Sequence, residues 1–256
     1  MTIYQITNIN DPSIIEFFNL KKNSTPKGCF IAESEKVVFK LLSSDLKTLK
    51  IFCTEKYLEK IKALNSNANI YVAPLKILEK ITGINLHQGI LALAEIPTLK
   101  KVMDLRPPIL IFNAIEKAEN VGSLIRNSAA FGFNSIIYDS LSCSPYNRRS
   151  ARVSMGNLFA AEVARSVNLI SDIQELQANR VQVIAAANSN TAIDISKFNF
   201  KKDCAIIIGN EGHGISKEIL NASDAIVRIP INPNVAHINA SHAGAIFFYE
   251  YTKTLG

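Results

Sequence analysis

Ala205-Ile206-Ile207-Ile208-Gly209-Asn210-Glu211-Gly212-His213-Gly214 joins an apolar run to a turn that contains three glycines in six residues. The apolar run is typical of a strand buried on both faces of a parallel sheet. Glycines after such a strand place bare backbone at the carboxyl edge of the sheet, where α/β proteins bind ligands. The stretch lacks the ending of a phosphate-binding loop and the Gly-x-Gly-x-x-Gly fingerprint of a dinucleotide site.

Two further segments have a similar form. Asn120-Val121-Gly122-Ser123-Leu124-Ile125-Arg126-Asn127 adds a cation, and Val227-Arg228-Ile229 leads through Pro230 to His237-Ile238-Asn239-Ala240-Ser241. Three such segments indicate an enzyme site. An arginine in the first turns of a helix opposes the helix dipole. Arg126 is therefore expected to bind Glu211 or a phosphate, with an ordinary surface salt bridge as the alternative.

The chain alternates strands and helices on both sides of a linker predicted at 97–108, where a lysine pair precedes a double proline. Residues 1–100 are predicted to form a small α/β domain, and residues 107–256 a larger domain with a parallel sheet covered by helices on both faces. In the first domain, helices are predicted from Asp11 to Leu20 and at 35–42, 55–64 and 75–82, with strands at 49–53, 69–72 and 89–95. In the second, strands are predicted at 109–113, 135–138, 181–186, 205–208 and 225–229, and helices at 121–131, 172–179, 216–221 and 239–254.

The charge distribution favours a polyanionic partner. The 256 residues carry a net charge of +6, and every arginine lies at or after Arg106. Arg148, Arg149 and Arg152 lie close together, and guanidinium groups suit phosphate contacts. We predict that they bind the phosphate groups of a polyanion such as RNA, with a solvated helix face or an oligomer contact as the alternative. The sequence shows no membrane-length apolar run and no signal-peptide pattern, so a cytoplasmic protein without a membrane partner is expected.

The sequence predicts no metal site. The cysteines are widely spaced without a Cys-x-x-Cys pair, so each is expected to be a small buried side chain: Cys29, Cys53, Cys143 and Cys204. The histidines show no metal-ligand spacing. His237 and Ser241, four residues apart, allow a hydrolase pair to be considered. No Gly-x-Ser-x-Gly elbow and no orienting carboxylate support that reading.

In their order along the chain, these segments resemble the SpoU (TrmH) family of RNA ribose 2′-O-methyltransferases, within the SPOUT superfamily. The family's first pattern, Asn-x-Gly-x-x-x-Arg-Asn/Thr, is matched by Asn120, Gly122, Arg126 and Asn127. The second, Gly-x-Glu-x-x-Gly, is matched by Gly209, Glu211 and Gly214. The third begins at Ile229-Pro230 and continues at 237–241. The resemblance covers the second domain, and residues 1–100 are similar to the small substrate-binding domain that many members carry.

The resemblance implies a fold, a reaction and a partner. It implies a trefoil knot near the C-terminus, a homodimer formed through the C-terminal domain, and S-adenosylmethionine-dependent methylation of a ribose 2′-hydroxyl in structured RNA. Ribosomal RNA is slightly favoured over transfer RNA. The implied cofactor-binding residues are Ile208, Gly209, Asn210, Gly214, Ile229, Pro230, Ile238 and Asn239. The implied catalytic residues are Asn120, Arg126, Glu211 and His237.

Methyl transfer to a ribose hydroxyl suggests a role for each of the four implied catalytic side chains. A guanidinium has a pKa above about 12, so Arg126 is expected to anchor a phosphate or stabilise the developing alkoxide rather than to act as a base. Glu211 would orient Arg126, and Asn120 would hold the ribose or Glu211. His237 stands where the family has a serine, so it is either the proton acceptor, a contact to RNA, or the mark of a weakened site. The alternatives are a catalytically silent RNA-binding protein and a base-methylating knotted enzyme.

Overall fold

The chain folds into two compact units. The computed structural model describes residues 2–22, 25–64, 67–86, 88–232 and 234–255. The first unit consists of Met1–Thr98 with Tyr146–Phe159, and the second of Leu99–Pro145 with Ala160–Gly256. Residues 146–159 therefore pack with the first unit, although they lie beyond the predicted linker in sequence.

Strands and helices alternate along both units. The strands are β1 (Ile3–Gln5), β2 (Cys29–Glu33), β3 (Thr48–Cys53), β4 (Asn69–Val72), β5 (Ile90–Glu95), β6 (Ile109–Asn113), β7 (Ser135–Tyr138), β8 (Glu162–Arg165), β9 (Gln182–Ala186), β10 (Ile193–Asp194), β11 (Cys204–Gly209) and β12 (Ala225–Arg228). The α-helices are α1 (Glu35–Leu42), α2 (Leu58–Lys62), α3 (Leu75–Thr82), α4 (Ala118–Ala130), α5 (Arg148–Val153), α6 (Leu169–Ala178), α7 (Lys217–Ala222) and α8 (Ala240–Leu255).

The described strands of the first unit form a mixed sheet in the order β1-β4-β3-β5-β2. β1, β4 and β3 run parallel, whereas β5 is antiparallel to both of its neighbours. Apolar side chains of the central strands, such as Phe52 and Leu91, are fully buried in the core. Helix α5 packs against β2 at the edge of this sheet.

The N-terminal segment differs from the prediction. Asp11 caps as expected, because its carboxylate accepts a 2.9 Å hydrogen bond from the Ser13 amide. The helix predicted from Asp11 to Leu20 is wrong, however. Pro12–Phe17 forms 3₁₀ turns interrupted at Ile14, whose φ is −122°, and Phe18 is extended. Burial of Ile14 and Phe17 in the core overrides the local helical signal.

The described strands of the second unit form a seven-stranded parallel sheet in the order β10-β12-β9-β11-β6-β7-β8. All side chains of β6 are buried, and so are those of β11 up to Gly209. This confirms the predicted parallel-sheet domain. Residues of α6 and α7 pack into one core cluster with β11, while α8 packs against β11 and against α4.

The strand order brings particular strand ends together. The chain runs from β6 outward to β7 and β8, crosses to β9, and then inserts β11 between β9 and β6. Since all these strands are parallel, the carboxyl ends of β9, β11 and β12 lie side by side. Such reversals of strand order create crevices that bind ligands in α/β proteins.

The predicted linker is wrong in part, because its second half is packed structure. Val102–Asp104 forms a 3₁₀ helix, and Val102 and Leu105 are buried within the second unit. The Lys100 amide also donates a 2.8 Å hydrogen bond to the Val163 carbonyl. The spacing of Val102 and Leu105, three residues apart, indicates a helical turn with one buried face. The neighbouring lysines and prolines obscured this pattern in the sequence.

Candidate active site

A pocket of about 370 Å³ opens at the carboxyl ends of β9, β11 and β12. It lies where the glycine-rich segment was predicted to bind a ligand. Six of the expected cofactor-binding residues line it: Ile208, Gly209, Asn210, Gly214, Ile229 and Ile238. Pro230 lines an adjoining pocket of about 410 Å³, whereas Asn239 lines neither of the two. Glu211 and His237 are also in the wall of the 370 Å³ pocket, but Asn120 and Arg126 are not.

The loop after β11 folds tightly back on itself, and two glycines permit this. A Cβ atom on Gly209 would lie 2.5 Å from Ile215 Cγ1 and 2.8 Å from the Gly214 carbonyl oxygen. Gly214 has a φ of +68°, which L side chains rarely adopt, and its amide donates a 2.9 Å hydrogen bond to the Asn210 carbonyl. The loop therefore presents backbone to the pocket.

The Asn210 side chain supports this loop from within. Its Oδ1 accepts hydrogen bonds from the amides of Gly212 (2.7 Å) and His213 (3.2 Å), and its Nδ2 donates to the Ala114 carbonyl at 2.8 Å. Asn210 thus connects the loop after β11 to the loop after β6. Its side chain therefore stabilises the conformation of the loop that forms the pocket wall.

An amide and hydroxyl network links α4 to the start of α8. Asn239 Nδ2 donates to Asn120 Oδ1 at 3.0 Å, and Asn239 Oδ1 accepts from Ser241 N and Oγ at 2.9 and 2.6 Å. Asn127 Nδ2 donates to the Ser241 carbonyl at 3.1 Å. The Ser241 hydroxyl is therefore bonded to an amide, not to His237, and the hydrolase reading loses its Ser-His pair. Asn120 Nδ2 is buried without a hydrogen-bond partner in the described chain.

Close packing of α4 and α8 depends on Gly244. A Cβ atom at this position would collide with Cδ2 of the fully buried Leu124 side chain. The small residue lets the two helices approach closely enough for the asparagine network to form. The pairing was not foreseen, because it joins segments more than a hundred residues apart.

The structure does not bring Arg126 and Glu211 together. Arg126 is exposed on α4 and makes no hydrogen bond or ion pair with any residue in the described ranges. Glu211 is partly buried, and its Oε1 is shielded from solvent without a hydrogen-bond partner in the described chain. The expected ion pair is therefore absent within a single chain. His237 is exposed where it lines the pocket.

The three arginines of α5 differ in their surroundings. Arg148 and Arg152 both bind the carboxylate of Glu33, the second at 2.9 Å, and Glu33 is only 6% exposed. Arg149 is exposed. Two of the predicted RNA-binding cations thus also hold α5 against the end of β2. Sequence analysis missed Glu33, because the partners are more than 110 residues away along the chain.

Asp139 is a second residue that sequence analysis missed. This buried carboxylate follows β7 and accepts hydrogen bonds of 2.7–3.1 Å from Asn113 Nδ2, the Ala114 amide, and the amide and hydroxyl of Ser142. It holds Ala114 at a φ of +55°. Because Ala114 also binds Asn210, Asp139 supports the pocket loop indirectly. An aspartate directly after an apolar strand was the available signal.

Two of the four cysteines are buried and two are partly exposed. Cys53 and Cys204 are buried as expected, whereas Cys29 and Cys143 are partly exposed, so the prediction that each is buried is wrong for these two. Within the described ranges, no three acidic, histidine or cysteine side chains cluster as metal ligands. The described helices include none with the length and apolarity to cross a bilayer.

Comparison with known proteins relates the chain to RNA methyltransferases. The model of the SpoU rRNA methylase family matches residues 107–249. A Mycobacterium tuberculosis protein described as an uncharacterized tRNA/rRNA methyltransferase is 26% identical over 269 residues, which are 99% of this chain and 93% of that protein. The crystal structure of an AdoMet-bound rRNA methyltransferase from Sinorhizobium meliloti has a TM-score of 0.86 at 22% identity and covers 99% of both chains. That of an RNA 2′-O ribose methyltransferase has a TM-score of 0.78 at 20% identity, again over 99% of both chains.

Proposed function

The chain belongs to the SpoU (TrmH) family of RNA methyltransferases, and on that premise we propose that it methylates a ribose 2′-hydroxyl in structured RNA, with ribosomal RNA favoured over transfer RNA. One observation carries the proposal: six of the residues expected to bind the cofactor surround a single pocket at the carboxyl edge of the sheet. The similarity to an RNA 2′-O ribose methyltransferase supports the choice of the ribose hydroxyl.

The pocket fits S-adenosylmethionine. Its volume of about 370 Å³ lies in the usual range of small-molecule sites. Ile208, Ile229 and Ile238 offer apolar contacts, the loop after β11 offers backbone, and Glu211 has a carboxylate oxygen without a partner in the described chain. When bound, the cofactor supplies a methyl group that is already activated by the positive charge on sulfur.

The side chains around the pocket then position the ribose and manage its proton. The 2′-hydroxyl is a weak nucleophile that must lose its proton as it reacts. We assign proton acceptance to His237, whose exposed imidazole lines the pocket. Arg126 has no carboxylate partner in the described chain, so its guanidinium is available to a phosphate or to the developing alkoxide. The network of Asn120 and Asn239 fixes α4 beside the start of α8.

The proposal includes a homodimer formed through α4 and α8. Ile246 and Tyr249 of α8 are 37% and 52% exposed, and Tyr249 packs edge-on against Phe131 at the end of α4. Exposed apolar side chains on paired helices favour association with a second copy. In such a dimer, Arg126 of one subunit would serve the pocket of the other. The trefoil knot near the C-terminus is part of the same proposal.

The first unit is proposed to select the RNA in the cytoplasm. Its sheet and helices form a compact unit of their own, as expected of a substrate-binding domain. The net charge of +6 favours RNA through release of counterions. Arg148, Arg149 and Arg152 remain the proposed contacts, with Arg149 the most exposed of the three.

Methyl transfer to RNA tests the proposal. Total RNA from cells that lack this protein would be incubated with purified protein and S-adenosylmethionine labelled in the methyl group, and nucleosides would then be analysed. We expect a labelled 2′-O-methylated nucleoside that disappears with Arg126→Ala and persists with Arg106→Ala, an exposed arginine outside the site. A labelled base would favour the base-methylating alternative. If neither cofactor binding nor methylation is detected, the result would favour the catalytically silent RNA-binding protein.

The role of His237 has its own test. His237→Ser restores the residue that the family pattern carries, and His237→Ala removes the polar group. If the imidazole accepts the proton, both variants lower kcat. Unchanged methylation with both variants would contradict this role.

A further inference from the structure

Glu211 carries a charge that the described chain leaves unbalanced. Its side chain is partly buried, and Oε1 is shielded from solvent without a hydrogen-bond donor among the described residues. Removing a carboxylate oxygen from water without a partner is unfavourable. Such an atom in a pocket wall indicates that a ligand supplies the missing interaction.

The other charged or titratable side chains in the pocket wall do not supply it. Arg228 Nε binds Asp194 Oδ1 at 2.6 Å, so its charge is already paired. His213 and His237 are both exposed to solvent and form no ion pair with Glu211. Glu116 lies outside the pocket wall, where its Oε1 atom is 3.5 Å from the Asn210 Nδ2 atom, so Glu211 is the carboxylate in the wall that lacks a cationic partner in the described chain. The field at this side of the pocket therefore favours a cation.

We infer that Glu211 makes the pocket selective for a positively charged sulfonium ligand over the neutral thioether. This inference rests on the proposed function. When the methyl group moves to the ribose oxygen, the sulfur keeps the electron pair of the broken S–C bond and loses its charge, while the hydroxyl gives up its proton. The carboxylate attracts the methyl donor but gains nothing from the sulfur of the spent product. Glu211 thereby promotes exchange of S-adenosylhomocysteine for S-adenosylmethionine.

Calorimetric titration of the two ligands tests the inference without any methyl transfer. Wild-type protein, Glu211→Gln, Glu211→Asp and Glu116→Gln would each be titrated with S-adenosylmethionine and with S-adenosylhomocysteine. Both ligands carry the same adenosine, ammonium and carboxylate groups and differ at sulfur. We expect Glu211→Gln to weaken binding of S-adenosylmethionine by about tenfold, the effect of one moderately screened charge pair. Binding of S-adenosylhomocysteine should change by less than about twofold.

The two remaining variants serve as controls. Glu211→Asp keeps the charge and should retain part of the preference, and Glu116→Gln should leave it unchanged. Equal weakening of both ligands by Glu211→Gln, or no weakening of either, would overturn the inference while leaving the cofactor assignment intact. A shift of the same size with Glu116→Gln would also overturn it, because a general field would then explain the preference. Failure of the wild-type protein to bind either ligand would instead overturn the proposed function.

Discussion

Asn239 donates a 3.0 Å side-chain hydrogen bond to Asn120, which joins the residue before α8 to the first turn of α4. The same Asn239 side chain accepts two hydrogen bonds from Ser241. One amide therefore satisfies polar groups on two helices, and both Asn120 and Ser241 are buried.

Asn239→Ala is expected to destabilise the second unit. The change leaves Asn120 Oδ1 and two donors of Ser241 without their partner, and orphaned buried groups of this kind cost about 1–3 kcal/mol. Urea unfolding would measure the loss. Asn221→Ala, at an exposed position in α7, is the matched control and should lie within about 0.5 kcal/mol of wild type. Equal stability of the two variants would contradict the structural role of Asn239.

Gly209→Ala is expected to abolish binding in the pocket. The new Cβ would meet the Gly214 carbonyl at 2.8 Å, and a backbone atom cannot move aside without opening the loop. Gly212→Ala is the control in the same loop, since its Cβ would meet only the Asn210 Oδ1 atom, at 3.3 Å. Titration with S-adenosylmethionine would compare the two variants. We expect binding to fall by more than about a hundredfold for Gly209→Ala only, because overpacking against backbone costs about 3 kcal/mol.

Glu33→Gln is expected to weaken attachment of α5 to the first unit. The neutral amide leaves Arg148, whose side chain is 18% exposed, without its counterion. Breaking a buried ion pair costs about 3–5 kcal/mol, and partial exposure of Arg152 reduces the expected loss to about 2 kcal/mol. Hydrogen exchange at residues 148–153 would report the change. Glu55→Gln, an exposed carboxylate in the same unit, should leave this exchange unaltered.

Stability is expected to fall in alkaline solution. Burial raises the pKa of the Cys53 and Cys204 thiols from 9.0 to about 12, and that of the Tyr251 hydroxyl from 10.0 to about 12. At a pH between the pKa of a group in the unfolded chain and its pKa in the folded protein, the folded state keeps a proton that the unfolded chain has released. The free energy of unfolding should therefore decrease up to about pH 12, by about 1.4 kcal/mol per pH unit for each group, starting near pH 9 for the two cysteines and near pH 10 for Tyr251.

Denaturant unfolding at several alkaline pH values would check this slope. Cys204→Ala removes one of the three groups and should flatten the profile. The result that would count against the argument is an identical slope for the wild-type protein and this variant.

Sequence analysis recovered the parts of the molecule that are coded locally. The bounds predicted for β6 and β7 match the structure, because continuous apolar runs flanked by turns identify buried parallel strands. The loop after β11 was placed correctly at a pocket, since its glycines follow such a strand. Four strands were missed: β1 and β10 have three residues or fewer, whereas β2 and β8, with five and four residues, were not predicted either.

The remainder depends on contacts between distant segments. Glu33 gives no local sign that it binds Arg148 and Arg152. The contact between Arg126 and Glu211 was expected only because their charges are opposite. The fold of one chain does not bring the two side chains together. The local sequence pattern predicts where a strand ends, but it does not predict which side chains from distant segments meet there.

The inclusion of Tyr146–Phe159 in the first unit affects how the protein is made. A ribosome releases the chain from its N-terminus, so β1 to β5 emerge well before α5 does. The first unit cannot reach its final packing until residue 159 has emerged from the ribosome, by which time β6, α4 and β7 have already emerged. A fragment that ends near residue 100 would lack α5 and leave Glu33 without its arginines. Isolating this unit requires a fusion that joins residues 1–98 to residues 146–159.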